Sequence, residues 1–100
     1  MSFWRNIYFM NKVVFNKVKK DLNKLPDYIL RKLQKWAEQV EIFGLREIKK
    51  IPGYHDEPLR GERKGQRSIR LSKSYRAIYV EENDGTIELV IILEVNKHKY

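Results

Sequence analysis

After a brief β-branched opening, apolar residues recur with a helical period through the first half of the chain and with a period of two through the second. That change predicts the order of the elements. Lys12 to Phe15 reads as a first strand. From Asn16 the period lengthens: Val18, Leu22 and Leu25 lie at i, i+4 and i+7, the stripe of an amphipathic helix with lysines on its wet side. Pro26 breaks that helix and opens the next, because proline fits a first turn and Asp27 there complements the positive end of the dipole. Ile29, Leu33, Trp36, Val40 and Phe43 follow at alternating spacings of four and three, so one face is buried along its length. Core packing is accordingly the expectation for Trp36 and Phe43. Gly44 ends the helix, and a short third turn, Leu45 to Ile51, closes at Pro52-Gly53.

Beyond that point Gln66 to Leu71 and Tyr75 to Val80 alternate as strands, joined at Ser72-Lys73-Ser74 into a hairpin. Asp84-Gly85 marks a second reversal, and Ile87 to Val95 is almost wholly apolar, as a central strand buried on both faces would be. The order β-α-α-β-β-β predicts an α+β single domain, with an N-terminal strand and two helices packed on one face of an antiparallel sheet and the other face open. Residues 1–11 read as an N-terminal extension, whose Phe3, Trp4, Ile7 and Tyr8 can pack on the domain or a partner, and residues 12–100 as the domain itself.

Charge changes this picture at one place. Between Glu57 and Val80 stand seven cations, Arg60, Arg63, Lys64, Arg67, Arg70, Lys73 and Arg76, against Glu57 and Glu62 alone. Period-two geometry puts Ser68 and Arg70 on one face of their strand and Arg67, Ile69 and Leu71 on the other, while Arg76 shares a face with Ile78 and Val80. Guanidinium groups fixed on a sheet can grip phosphate in a bidentate way. Arg60, Arg63, Lys64, Arg67, Lys73 and Lys97 are therefore expected to contact RNA. The net charge of +8 points to a polyanionic partner but says nothing of catalysis. The absence of cysteine excludes disulfides, thiol nucleophiles and cysteine-based zinc sites, and suits a reducing cytoplasm. No apolar run reaches the roughly 20 residues of a membrane span, and the opening residues lack the pattern of a signal peptide.

Metal-free RNA cleavage needs a base for the ribose 2′-hydroxyl, cations for the phosphorane and an acid for the departing 5′-oxygen. Glu57 is the candidate base, Arg76 and Arg70 the candidate clamps and His98 the candidate acid, with Tyr100 to orient the base or assist the acid. The bland alternatives are a loop carboxylate before Pro58, an idle terminal histidine, and arginines spent on Glu81, Glu82 or Glu88. His55-Asp56-Glu57 with distant His98 matches no metal-ligand motif, and the surrounding cations would repel a divalent ion, so no metal and no cofactor is expected. Glycine-rich phosphate loops and nucleophile elbows are absent.

The run GYHDEPLRGERKGQRSIRLSKSYRAIY followed by EVNKHKY resembles the RelE/HigB/YoeB group of bacterial toxins, in the RelE/ParE superfamily, over most of the chain from about Lys12 onward. The resemblance implies a RelE-like fold and the toxin of a type II toxin-antitoxin system. It implies an mRNA interferase that cuts messenger RNA, commonly in a translating 70S ribosome, and is held by a cognate antitoxin. Carried over by residue, Glu57 matches the general base of the E-P-L context and Arg76 the transition-state arginine of the Y-R strand. His98 lies near the terminal histidine, Arg60 falls on the L-R-G arginine, Arg70 on a strand lysine and Tyr100 on the terminal tyrosine. Lys99 stands between His98 and Tyr100, so the acid is one of these three, and Ser68 occupies the position of a second strand lysine. The rivals are a ParE-like DNA gyrase poison of the same fold and a non-catalytic RNA-binding module.

Overall fold

The computed structural model describes residues 10–97. Its strands are β1 (Met10–Val14), β2 (Glu57–Pro58), β3 (Gln66–Arg70), β4 (Tyr75–Asp84) and β5 (Ile87–Lys97). Its helices are α1 (Lys19–Leu22, entered through a 3-10 turn at Asn16–Val18), α2 (Asp27–Phe43) and α3 (Leu45–Ile48). The strands make one sheet in the order β1-β5-β4-β3-β2. The α+β architecture is the one the periodicity implies. One part of the expectation changes: β1 does not pack on the face of an antiparallel sheet but joins the sheet, parallel to β5 with Val13 opposite Val90, while the remaining pairs are antiparallel. A parallel neighbour requires a crossover, and the helical half of the chain supplies it.

Three local expectations change. Met10 and Asn11, assigned to the extension, belong to β1. The helix expected from Asn16 to Leu25 is only a 3-10 turn and one α-turn. Lys24 N–H donates to Asp21 O (3.0 Å) and Leu25 N–H to Leu22 O (3.2 Å), a tightening that precedes Pro26, whose ring disfavours helix in the residue before it. The stripe is nevertheless used, since Val18 is fully buried and Leu22 and Leu25 pack against the core. On α2, Ile29, Leu33, Trp36 and Val40 are buried as expected, but Phe43 is 63% exposed. Gly44 turns the chain at a φ of 87°, a region open to glycine, and Leu45 and Ile48 just beyond it are buried instead. Extrapolating the helical spacing to Phe43 overran the last turn that faces the sheet.

The sheet's helix-covered face contributes Val13, Ile69, Ala77, Tyr79, Val90, Ile92 and Val95 to the core. Trp36 meets Tyr79 with ring centroids 5.4 Å apart and planes tilted by 46°. Ile78 lies opposite Glu94 and Tyr79 opposite Ile92, so Leu93 is the extra residue of a β-bulge. The bulge shifts the alternation, which is why Val90, Ile92 and then Val95 are buried while Glu94 shares a face with Ile78. β5 is an interior strand as read, yet Leu89, Ile91 and Leu93 are only half-buried. Both sheet edges are blunted. Val13 N–H, on β1, donates to the Glu41 carboxylate (2.9 Å), and β2 has two residues, one of them proline.

One polar cluster lies on the covered face. Arg67 and Tyr79 are cross-strand partners, and both donate to Asp56, Arg67 Nε to Oδ1 and the Tyr79 hydroxyl to Oδ2, each at 2.6 Å. The Asp56 side chain is 1% exposed. Burial, and then the bond to Asp56, push the Tyr79 phenol far above its ordinary pKa, so it remains a donor at any working pH. Arg67 is thus engaged beneath the sheet, away from Arg70 and Arg76.

Two stability measurements test this packing. By urea denaturation, Trp36→Ala should cost about 3–5 kcal/mol, whereas Phe43→Ser should stay within about 0.5 kcal/mol of the parent; a comparable loss for both would restore Phe43 to the core. Asp56→Ala should cost about 3 kcal/mol, the lower end for orphaning a buried charge because Arg67 keeps some access to water. A loss below about 1 kcal/mol, the range of exposed pairs, would mean that the cluster does not hold this segment.

Candidate functional site

Glu57 reaches the open face of the sheet through a two-residue strand, β2, to which the sequence pattern assigned no element. β2 pairs with β3, setting Glu57 opposite Ser68 and Pro58 opposite Arg67. Consecutive residues of an extended chain point to opposite faces. With Asp56 drawn inward by Arg67 and Tyr79, Glu57 is left facing out, 49% exposed at its side chain.

Arg76 crosses β3 to meet it. Its Nε donates to Ser68 Oγ (2.7 Å) and its Nη2 to Glu57 Oε1 (3.1 Å). Ser68 is 3% exposed, and it fixes the guanidinium from below. Only 18% of the Arg76 side chain is exposed, so the cation is held and not free to wander. Arg70 is the direct cross-strand partner of Arg76 and is exposed. Like charges set opposite one another destabilise a sheet, so this pair is poised for an anion.

Glu57, Ser68 and Arg76 line an open depression of about 700 Å³, with Leu59, Ile78, Arg63, Asn96 and Lys97 around them. Arg63 donates to Gln66 Oε1 (2.9 Å) and to the Glu94 carboxylate, which also accepts from Asn96 Nδ2 (2.7 Å). The Arg63 guanidinium, followed by the Asn96 amide, holds the Glu94 carboxyl below its ordinary pKa.

The structure therefore gathers Glu57, Arg76, Arg70, Arg63 and Lys97 on or beside one face. Arg60 and Lys64 are exposed on the connection from β2 to β3, and Lys73 on the turn from β3 to β4. Arg67 is a correction to the expected set of RNA contacts: it faces the helices, where Asp56 takes its Nε. Ion pairing of the sheet arginines does occur, but with Glu57, Asp56 and Glu94, while Glu81 pairs with Lys49 (3.0 Å). His98, Lys99 and Tyr100 lie outside the described residues. Among the described residues no three of His, Asp and Glu are placed to hold a metal ion. His55, dismissed as a ligand, has its Nε2 3.4 Å from Glu57 Oε2.

Sequence reading missed the roles of Asp56 and Ser68. A signal existed for the first: parity put Arg67 on the core side, and a buried arginine requires a carboxylate nearby. For Ser68 there was none, because its task depends on the reach of a side chain from the next strand.

The sequence model of the family described as ParE toxin of type II toxin-antitoxin system, parDE, matches residues 14–99. No curated protein matches the chain. Among solved structures, the chain is similar to the toxin-antitoxin complex RelBE2 from Mycobacterium tuberculosis at 30% identity, over 87% of this chain and 96% of that one, with a TM-score of 0.62. YafQ from E. coli strain BL21(DE3) shares the fold at 18% identity, over 88% and 93% of the two chains, with a TM-score of 0.62. So does the YoeB-YefM complex from Staphylococcus aureus, at 16% identity over 88% and 97%, again with 0.62. With the family model covering most of its length, the chain belongs to the ParE toxin family of type II toxin-antitoxin systems, within the RelE/ParE superfamily.

Proposed function

We propose that this toxin is an endoribonuclease, an mRNA interferase acting on messenger RNA in the translating ribosome. The observation that carries the reading is the contact of Glu57 with Arg76 over Ser68, beside the opposed cation Arg70, in a concave open face. In the free toxin Arg76 neutralises Glu57. An incoming phosphodiester competes for the guanidinium, and the carboxylate oxygen it gives up becomes the acceptor for a ribose 2′-proton. Arg76 and Arg70 then face the charge that develops on the phosphorane oxygens, where fixed cations act most strongly. The 5′-oxygen leaves with a proton from the C-terminal group, His98, Lys99 or Tyr100. Residues of this chain carry each step, with no cofactor in the scheme. Arg60, Arg63, Lys64, Lys73 and Lys97 extend the cationic surface on which RNA is held, and binding of that kind weakens as salt rises.

The regulating partner is a cognate antitoxin. RelBE2 and YoeB-YefM are themselves solved as toxin-antitoxin complexes, and an acidic antitoxin suits a chain of net charge +8. The name of the matching family favours a second reading, poisoning of DNA gyrase. A gyrase poison has no use for a carboxylate seated on a half-buried guanidinium, which is why the nuclease reading is preferred.

In a ribosome-based cleavage assay, Arg76→Ala and Glu57→Gln should each lower the rate by about 10²-fold or more with the fold intact by circular dichroism, the scale of losing a preorganised donor or a general base. Ser68→Ala removes a hydrogen bond from the charged Arg76 guanidinium, about 1.5–3 kcal/mol, and should lower it about tenfold or more. Primer-extension mapping after brief induction should show cuts between codon positions. Intact transcripts together with gyrase-linked DNA breaks would hand the function to the rival.

A further inference from the structure

His55 stands closest to Glu57 without a task in the scheme above. It ends the 3-10 turn Pro52–Tyr54 with a left-handed backbone, φ 47° and ψ 50°, and is the one non-glycine residue with positive φ among those described. Such a conformation is disfavoured and persists where the surroundings over-determine it, commonly at functional sites. The chain is pinned on both sides here. His55 N–H donates to Pro52 O (3.0 Å), and Asp56 is locked inward by Arg67 and Tyr79. The strained residue is left with an exposed imidazole whose Nε2 lies 3.4 Å from Glu57 Oε2, while Glu57 Oε1 holds Arg76.

We propose that His55 and Glu57 form a paired base at the ribose 2′-hydroxyl, with His55 Nε2 as a second proton acceptor beside the carboxylate. The inference rests on the nuclease reading. A 2′-hydroxyl hydrogen-bonded to Glu57 Oε2 is within reach of Nε2 as well, directly or through one water. The step balances with either acceptor. The 2′-O–H bond breaks and its proton goes to the carboxylate or to the neutral imidazole; the 2′-O–P bond forms as the P–5′-O bond breaks; the departing oxygen takes its proton from the C-terminal acid. The products are a 2′,3′-cyclic phosphate and a 5′-hydroxyl. His55 is not that acid. In-line displacement sets acid and base on opposite sides of phosphorus, and a contact of 3.4 Å puts His55 on the base's side. Glu57 is the charged group within ion-pairing reach of His55 among the described residues, since Asp56 faces inward and Arg76 meets the far oxygen.

The test measures cleavage against pH, from 5 to 8, for wild type, Glu57→Gln, His55→Asn and the double variant. Asparagine tolerates a left-handed backbone, and His55→Gly serves as a second variant that relieves the strain altogether. His55→Asn and His55→Gly alone should slow cleavage about three- to tenfold. Glu57→Gln should keep a residual rate that falls as the pH falls, as a remaining imidazole base requires. The direction is diagnostic: a base is lost as pH falls, whereas an imidazole acting as acid would be lost as pH rises. Adding His55→Asn to Glu57→Gln should remove the residual by a further tenfold or more. A double variant as active as Glu57→Gln, or a residual rate flat with pH, overturns the pair while leaving the nuclease reading intact. Uncut RNA with wild type overturns both.

Discussion

The carboxylate of Asp56 is the joint on which the open face depends. It is buried, and it is held by two donors on neighbouring strands, Arg67 on β3 and Tyr79 on β4. A buried carboxylate without such partners would be too costly to ionise. Once it is satisfied, the chain around it has little freedom. The next residue must point the other way, and β2, too short to be secured by its own ladder, is registered against β3 so that Glu57 faces Ser68. The positions of Glu57 and His55 thus follow from a bond made on the opposite side of the sheet.

A similar division of labour runs through the hairpin. Arg67 and Arg70 differ by three residues, so parity sends one beneath the sheet and the other above it. Arg67 becomes structural by finding Asp56, while Arg70 remains exposed opposite Arg76. Two cations facing each other across a ladder are a poor arrangement for stability and a good one for meeting phosphate. Ser68 makes the arrangement tolerable by fixing Arg76, and Glu57 by neutralising it while no anion is bound. The β-bulge at Leu93 extends the same logic to β5, bringing Glu94 to the open side, where it engages Arg63.

Much of this was legible in the chain. The apolar stripe on α2, the hairpin, the reversal at Asp84-Gly85 and the interior position of β5 followed from local spacing, because burying one face of a helix or strand imposes its period on the sequence. Parity grouped Ser68 with Arg70 and set Arg67 on the other side, whereas the place of Arg76 on that same face came from the pairing of β3 with β4. Errors arose where a period was carried past the end of its element, as at Phe43, or where a proline tightened the preceding turn, as at Leu25.

What the sequence determined by itself was the set of elements, the faces of each strand and the chemical types available to a site, since these depend on neighbours only a few residues apart. Tertiary structure decided the rest: that β1 lies beside β5, that a two-residue strand carries Glu57 to Ser68, and that Arg76 spans β3 to reach it. Those contacts join residues 11 and more apart in the chain, and no local period encodes which distant partner a guanidinium or a carboxylate will find.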